Sequence, residues 1–154
     1  MSLMLARALP AQDPLGLPVG AKAPGAKVQT LDGKPVDLSS YIGKGPVVLE
    51  FWALWCSNCK ELEPQLKSLT AKYAGKVTFV SVAVSVNESP DRVKRYAEKY
   101  GLAQQLVFDT DGAATDAYSA PATSYVVVID RSGKIVYTGL GGEQNLEAAV
   151  QKGL

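Results

Sequence analysis

Histidine is absent from this 154-residue sequence, and cysteine occurs only twice. The missing histidine excludes a Ser-His-Asp or Cys-His catalytic arrangement and any histidine-ligated zinc. Two cysteines cannot close a four-ligand zinc site within one chain. Neither sign of charge is in excess: 16 Lys and Arg face 15 Asp and Glu, for a net charge of +1. That balance gives no electrostatic case for nucleic acid or an anionic membrane surface as a partner. No apolar run approaches the ~20 residues that span a bilayer. What is present is a chain of single-domain length with 47% hydrophobic residues. Such a chain buries roughly two-thirds of its unfolded surface and needs neither disulfide staples nor a structural metal. Any chemistry it performs rests on two thiols and some carboxylates.

The N-terminus has one short apolar patch, Leu3 to Leu9, broken by Arg7. It is too short for a signal-peptide core and lacks a basic start. Pro10, Pro14 and Pro18 disfavour helix and strand over residues 10–19. Residues 1–19 therefore read as a tail, either the remnant of a removed signal or anchor or an ordinary frayed terminus, with a single domain over 20–154. Within that domain Val28 to Leu31 and Pro35 to Leu38 flank Asp32-Gly33, a hairpin turn. Residues 46–53 form a nearly continuous apolar run, the mark of a strand covered on both faces. Leu62, Leu66, Leu69 and Tyr73 then recur on one helical face, with Gly75 as the expected left-handed cap. Val77 to Val84 reads as a strand. Ser89-Pro90-Asp91 opens a helix that Gly101 closes. A short strand (106–108), a short helix (112–118), a hairpin around Arg131-Ser132-Gly133 and a final helix through Leu146 and Val150 follow. Strands alternating with helices predict an α/β fold with parallel strands and an added antiparallel pair.

Both cysteines lie in Trp52-Ala53-Leu54-Trp55-Cys56-Ser57-Asn58-Cys59, where the buried strand turns into the helix. A disulfide closing so small a ring contributes only ~1.9 kcal/mol of loop entropy, against ~3 for a 15-residue loop. The pair is thus a poor staple. Cys56 falls at the helix N-terminus, where free N–H groups and the helix dipole stabilise a thiolate, making it the attacking sulfur. Cys59, one turn on, is placed to resolve a mixed disulfide on Cys56. A reduced core pair, or two zinc ligands shared across a dimer, are the structural alternatives.

This motif, with Pro64 after it, resembles a thioredoxin-fold active site. Gly20-Ala21-Lys22-Ala23-Pro24 and Leu31-Asp32-Gly33-Lys34-Pro35-Val36-Asp37-Leu38 are similar to the N-terminal hairpin of the TlpA/ResA-like thiol–disulfide oxidoreductases. Val84 to Gly101 resembles that family's β–α insertion, and Asp130-Arg131-Ser132-Gly133-Lys134-Ile135 its late hairpin. The resemblance covers about residues 20–154. It implies a thioredoxin-like three-layer fold, a mixed central sheet flanked by helices. It also implies dithiol–disulfide exchange with protein substrates and an upstream redox partner, with no cofactor beyond the Cys56–Cys59 pair and no metal. Typical members are extracytoplasmic, behind a signal peptide or membrane anchor, and reduce apocytochrome c or other exported proteins.

Glu50 is the single charge inside the central apolar run, sharing a strand face with Val48 and Trp52, so burial should raise its pKa. The resemblance makes it the proton acceptor for Cys59; a solvated strand-end position is the alternative. Glu61 and Glu63 read as a solvated helix face, since the family's acid three residues after the second cysteine is Leu62 here. Trp55 is expected to flank the nucleophile as a flat contact for a partner, and Trp52 to be core. The family also carries a cis-proline opposite the disulfide. Matching Pro-x-Thr puts Pro121 there; counting back from Asp130 puts Ser124 there with a trans bond. A cis bond before serine costs ~3–4 kcal/mol, against under ~1 before proline. Two other functions stay open: a redox-sensing or binding module, and a thiol peroxidase, for which Leu54 and Trp55 replace the needed Thr-x-x before Cys56.

Overall fold

The computed structural model describes residues 15–154; residues 1–14 of the expected tail lie outside the described residues. Lys27–Thr30 (β1) and Pro35–Asp37 (β2) pair antiparallel about Asp32-Gly33. Gly33 takes φ 83°, a left-handed conformation that only glycine adopts without strain, and the Thr30 N–H donates to the Lys34 carbonyl at 2.8 Å to close the turn. The order continues as Val47–Trp52 (β3), Ser57–Lys72 (α1), Thr78–Val84 (β4), Pro90–Tyr100 (α2), Gln105–Asp109 (β5), Ala113–Ala117 (α3), Tyr125–Ile129 (β6), Ile135–Gly139 (β7) and Leu146–Gln151 (α4).

One seven-stranded sheet runs β2-β1-β5-β4-β3-β6-β7. β3, β4 and β5 are parallel, and the flanking strands join antiparallel. The parallel strands sit centrally because their neighbours and helices cover them completely: every residue of β3 is buried. Alternate residues of β3 serve different layers. Val47, Leu49 and Phe51 pack with Ala114 and Tyr118 at α3. Val48 packs with Leu62, Leu66 and Leu69 of α1 and Leu146 of α4. Trp52 packs with both cysteines and Val93 of α2. The layers are therefore α3, sheet, and α1 with α2 and α4. Each buried leucine of α1 contributes roughly 1.5–3 kcal/mol, which offsets the lost N–H of Pro64 inside an unbroken helix.

Gly101 caps α2 in the left-handed conformation and Ser89 caps its start, as expected. Gly75 does not cap α1. The helix ends at Lys72 with Tyr73 as its C-cap, and Gly75 (φ 78°) turns the following loop. The expected tail also joins the body before Gly20: Leu17 packs against the core on the α3 side. No helix among the described residues is long and apolar enough to cross a membrane.

Candidate active site

The redox pair sits beyond the C-terminal end of β3, where α/β sheets place their sites. The chain leaves the strand at Trp52, turns with Cys56 N–H donating to the Ala53 carbonyl at 3.2 Å, and enters α1 with Cys56 as N-cap. Cys56 and Cys59 form a disulfide, with Cα atoms 5.3 Å apart. The Cys59 N–H donates to Cys56 Sγ at 3.1 Å. One of the free amides of the helix start is thus already aimed at the sulfur that would carry charge. Both residues are buried, Cys56 at 6% and Cys59 at 4% exposure, while Trp55 beside them is 49% exposed.

The loop between β4 and α2 holds this turn at two points. Glu88 Oε2 accepts the Leu54 N–H at 2.9 Å, and the Val86 carbonyl accepts the Trp55 indole N–H at 2.8 Å. Asn87, between them, adopts a left-handed φ of 49°. The Glu88 side chain is fully covered, and Arg92 lies 3.6 Å from its other oxygen.

Glu50 lies on the α1 face of β3, between Val48 and Trp52, and is buried. Ser81, its register partner on β4, donates to Glu50 Oε2 at 3.1 Å. Burial pushes the Glu50 carboxyl up to about 8; the Ser81 hydrogen bond opposes this and the nearby Glu63 carboxylate adds to it. Glu63 is not simply solvated. It is partly buried and accepts the Tyr96 hydroxyl at 2.7 Å. Burial, and then that hydrogen bond, hold Tyr96 well above the usual phenol range.

No peptide bond among the described residues is cis, so Pro121 does not supply a cis-proline. Ser124 opposes the end of β3 instead, with φ 70° and every polar group engaged. Its N–H donates to the Phe51 carbonyl at 2.7 Å, its Oγ accepts the Gly141 N–H at 3.1 Å, and its carbonyl accepts Gln144 Nε2 at 2.9 Å. These three bonds hold a left-handed conformation that costs a non-glycine residue ~1 kcal/mol. Trp55 and Pro121 line one cleft of about 290 Å³ together with Val86 and Thr123. Ser124, 1% exposed, lies behind it. A larger cleft of about 710 Å³, lined by Lys44, Lys76 and Arg131, sits at the start of β3, at the other end of the strand from the disulfide.

Sequence reading passed over Ser81, Gln104 and Glu88. Ser81 had a signal, as the one polar residue inside the Phe79–Val84 run. Glu88 was overshadowed by the helix start that follows it.

The AhpC/TSA family model matches residues 19–138. The thiol-disulfide oxidoreductase ResA of Bacillus thuringiensis subsp. konkukian is 31% identical over 129 residues, which cover 84% of this chain and 73% of that protein. Its namesake in Geobacillus thermodenitrificans is 30% identical over 131 residues, covering 84% and 74%. Among solved structures, a secreted Mycobacterium tuberculosis disulfide oxidoreductase homologous to E. coli DsbE matches with a TM-score of 0.69 at 26% identity, over 82% of this chain and 92% of that one.

Proposed function

The chain belongs to the AhpC/TSA family and is a thiol–disulfide oxidoreductase of thioredoxin fold; on that premise we propose that Cys56 attacks, Cys59 resolves and Glu50 takes the Cys59 proton. The observation that carries this reading is the placement of Cys56 as N-cap of α1, its sulfur accepting the Cys59 N–H, on the strand face that holds a buried acid. In the reduced protein the Cys56 thiolate attacks one sulfur of a substrate disulfide. A Cys56–substrate bond forms, the substrate S–S bond breaks, and the departing sulfur takes a proton from solvent. Cys59 then gives its proton to Glu50 and attacks Cys56 Sγ. The Cys56–Cys59 bond forms, the mixed disulfide breaks, and the substrate leaves reduced by two electrons.

Trp55 and Pro121, on one cleft beside the sulfurs, are the contact surface for a substrate chain; Ser124 acts from behind by fixing the backbone that carries Thr123 to the cleft. The substrates in this reading are exported proteins, apocytochrome c among them, met outside the cytoplasm, and transfer runs toward their reduction. The likeness to a secreted oxidoreductase supports that setting. Cys56→Ala abolishes insulin reduction, whereas Cys59→Ala traps mixed disulfides with several exported proteins. Full activity in Cys56→Ala, or non-covalent retention of one partner by Cys59→Ala, rejects the assignment. A reduction potential near that of thioredoxin, about −270 mV, supports the reducing direction, and one near about −120 mV reverses it.

A further inference from the structure

Glu50, Ser81 and Gln104 form a hydrogen-bonded line across β3, β4 and the residue entering β5. Ser81 Oγ donates to Glu50 Oε2 at 3.1 Å, and Gln104 Nε2 donates to Ser81 Oγ at 3.3 Å. All three residues are buried, at 3%, 2% and 8% exposure. Gln104 Oε1 is buried and has no hydrogen-bond partner among the described residues. An orphaned acceptor at the end of a buried chain calls for an explanation.

The direction of the donors supplies one. As it stands the line suits an ionised carboxylate, which only accepts. Once Glu50 is protonated it has an O–H to donate, and its neighbour is Ser81 Oγ. With the proton on Oε2, the oxygen that faces Ser81, the Ser81 hydroxyl loses that acceptor and turns to another. A half-turn of the Gln104 amide exchanges Nε2 for Oε1 with almost no change of shape and brings an acceptor to Ser81. Gln104 lines a cleft of about 270 Å³ beside Thr70 and Thr78, so the amide turns at the margin of the core. We propose that Ser81 and Gln104 are positioning residues that form a reversible hydrogen-bond chain, running toward Glu50 when it is ionised and away from it when it is neutral. The chain keeps the Ser81 proton paired in both states and the Glu50 proton paired when the acid is neutral, so the acid can take and return a proton within each exchange cycle.

The proposal rests on Glu50 being the acceptor of the Cys59 proton. From α1 the groups on this side are Cys59 and Glu63, the latter held by Tyr96 of α2. β4 presents Ser81, and β6 presents the apolar Val126 as register partner. Glu63, the one other charge acting on Glu50 among the described residues, is a like charge. The Ser81 hydroxyl is therefore the group that favours the ionised form.

The test follows the Glu50 carboxyl carbon and the Gln104 side-chain amide by NMR from pH 5 to 10 in the oxidised full chain. Both signals should titrate with one midpoint. In Ser81→Ala the Glu50 midpoint should rise by about one unit, a tenfold change in proton affinity, and the Gln104 response should vanish. Ser81→Thr, which keeps the hydroxyl, should restore both. The pH profile of insulin reduction should shift in parallel. A Gln104 amide that stays unchanged while Glu50 titrates, or a Ser81→Ala midpoint that does not move, overturns the chain. Glu50→Gln separates the two ideas. If it leaves the pH profile of exchange unaltered, the acceptor role fails even with the signals coupled. If it alters the profile while the signals are uncoupled, the chain alone fails.

Discussion

A carboxyl group sealed between a strand and a helix releases its proton late, and the rest of the molecule bears the consequence. Glu50 ionises near pH 8 in the folded protein against 4.5 as a free side chain. Below 4.5 it is neutral folded or unfolded and costs nothing extra. As pH rises from 4.5 toward 8 the unfolded chain releases this proton first, so stability falls across that window and levels off above it. Glu50→Gln should therefore leave stability unchanged at pH 4 and raise it by about a few kcal/mol at pH 9, read from urea denaturation of the oxidised protein. The position of Glu50 was legible in the sequence because a lone charge in an apolar run marks itself. Its partners were not. Ser81 meets Glu50 through the β3–β4 register, which strand periodicity does not give. Glu63 looked solvated because its partner, Tyr96, arrives from another helix 33 residues away. Ser124 was one of two candidates for the strand start opposite the disulfide, and gap counting alone could not separate it from Pro121. The structure shows that no described bond is cis and that Ser124 directly precedes the β6 residue paired with Phe51, and neither fact is local to the sequence around Pro121.

Among the elements, the β4–α2 loop has more to do than connect. It takes the Leu54 N–H on Glu88 and the Trp55 indole on Val86, fixing the two residues that lead into Cys56. Glu88→Ala leaves the Leu54 N–H without its charged acceptor and should cost about 1.5–3 kcal/mol in urea denaturation. Glu88→Gln, which keeps an acceptor oxygen, should recover a large part of that loss. Element order, by contrast, was nearly all visible beforehand. Apolar alternation, the Ser89-Pro90 start and the Gly101 stop are local signals, and local signals place elements. Gly75 shows their limit. A left-handed glycine does follow the helix, yet the helix closes at Tyr73, whose N–H donates to the Leu69 carbonyl and whose carbonyl accepts the Lys76 and Val77 N–H groups, a pattern no residue type announces.

For the molecule as a whole, the disulfide is a site rather than a support. Its ring is small, so opening it removes only ~1.9 kcal/mol of chain-entropy stabilisation. Dithiothreitol-reduced protein should remain cooperatively folded and lose no more than about 2 kcal/mol against the oxidised form in urea titrations. A collapse on reduction would contradict a core built from three apolar clusters on both sheet faces. The open sheet has a further property, seen at its margins. β2 is three residues long and begins on Pro35, a poor template for any incoming strand. The β7 margin is longer and is guarded differently. Ile135 gives its N–H to the Ala21 carbonyl at 2.9 Å and takes the Gly20 N–H at 2.8 Å, while Lys22 bridges Lys134. A chain shortened to begin at Ala23 should keep its redox pair yet sediment as concentration-dependent oligomers, where the full chain stays at one size. Among the described residues, Gly20 to Lys22 thus cover the start of β7 with backbone bonds, where a neighbour's strand would otherwise begin to pair.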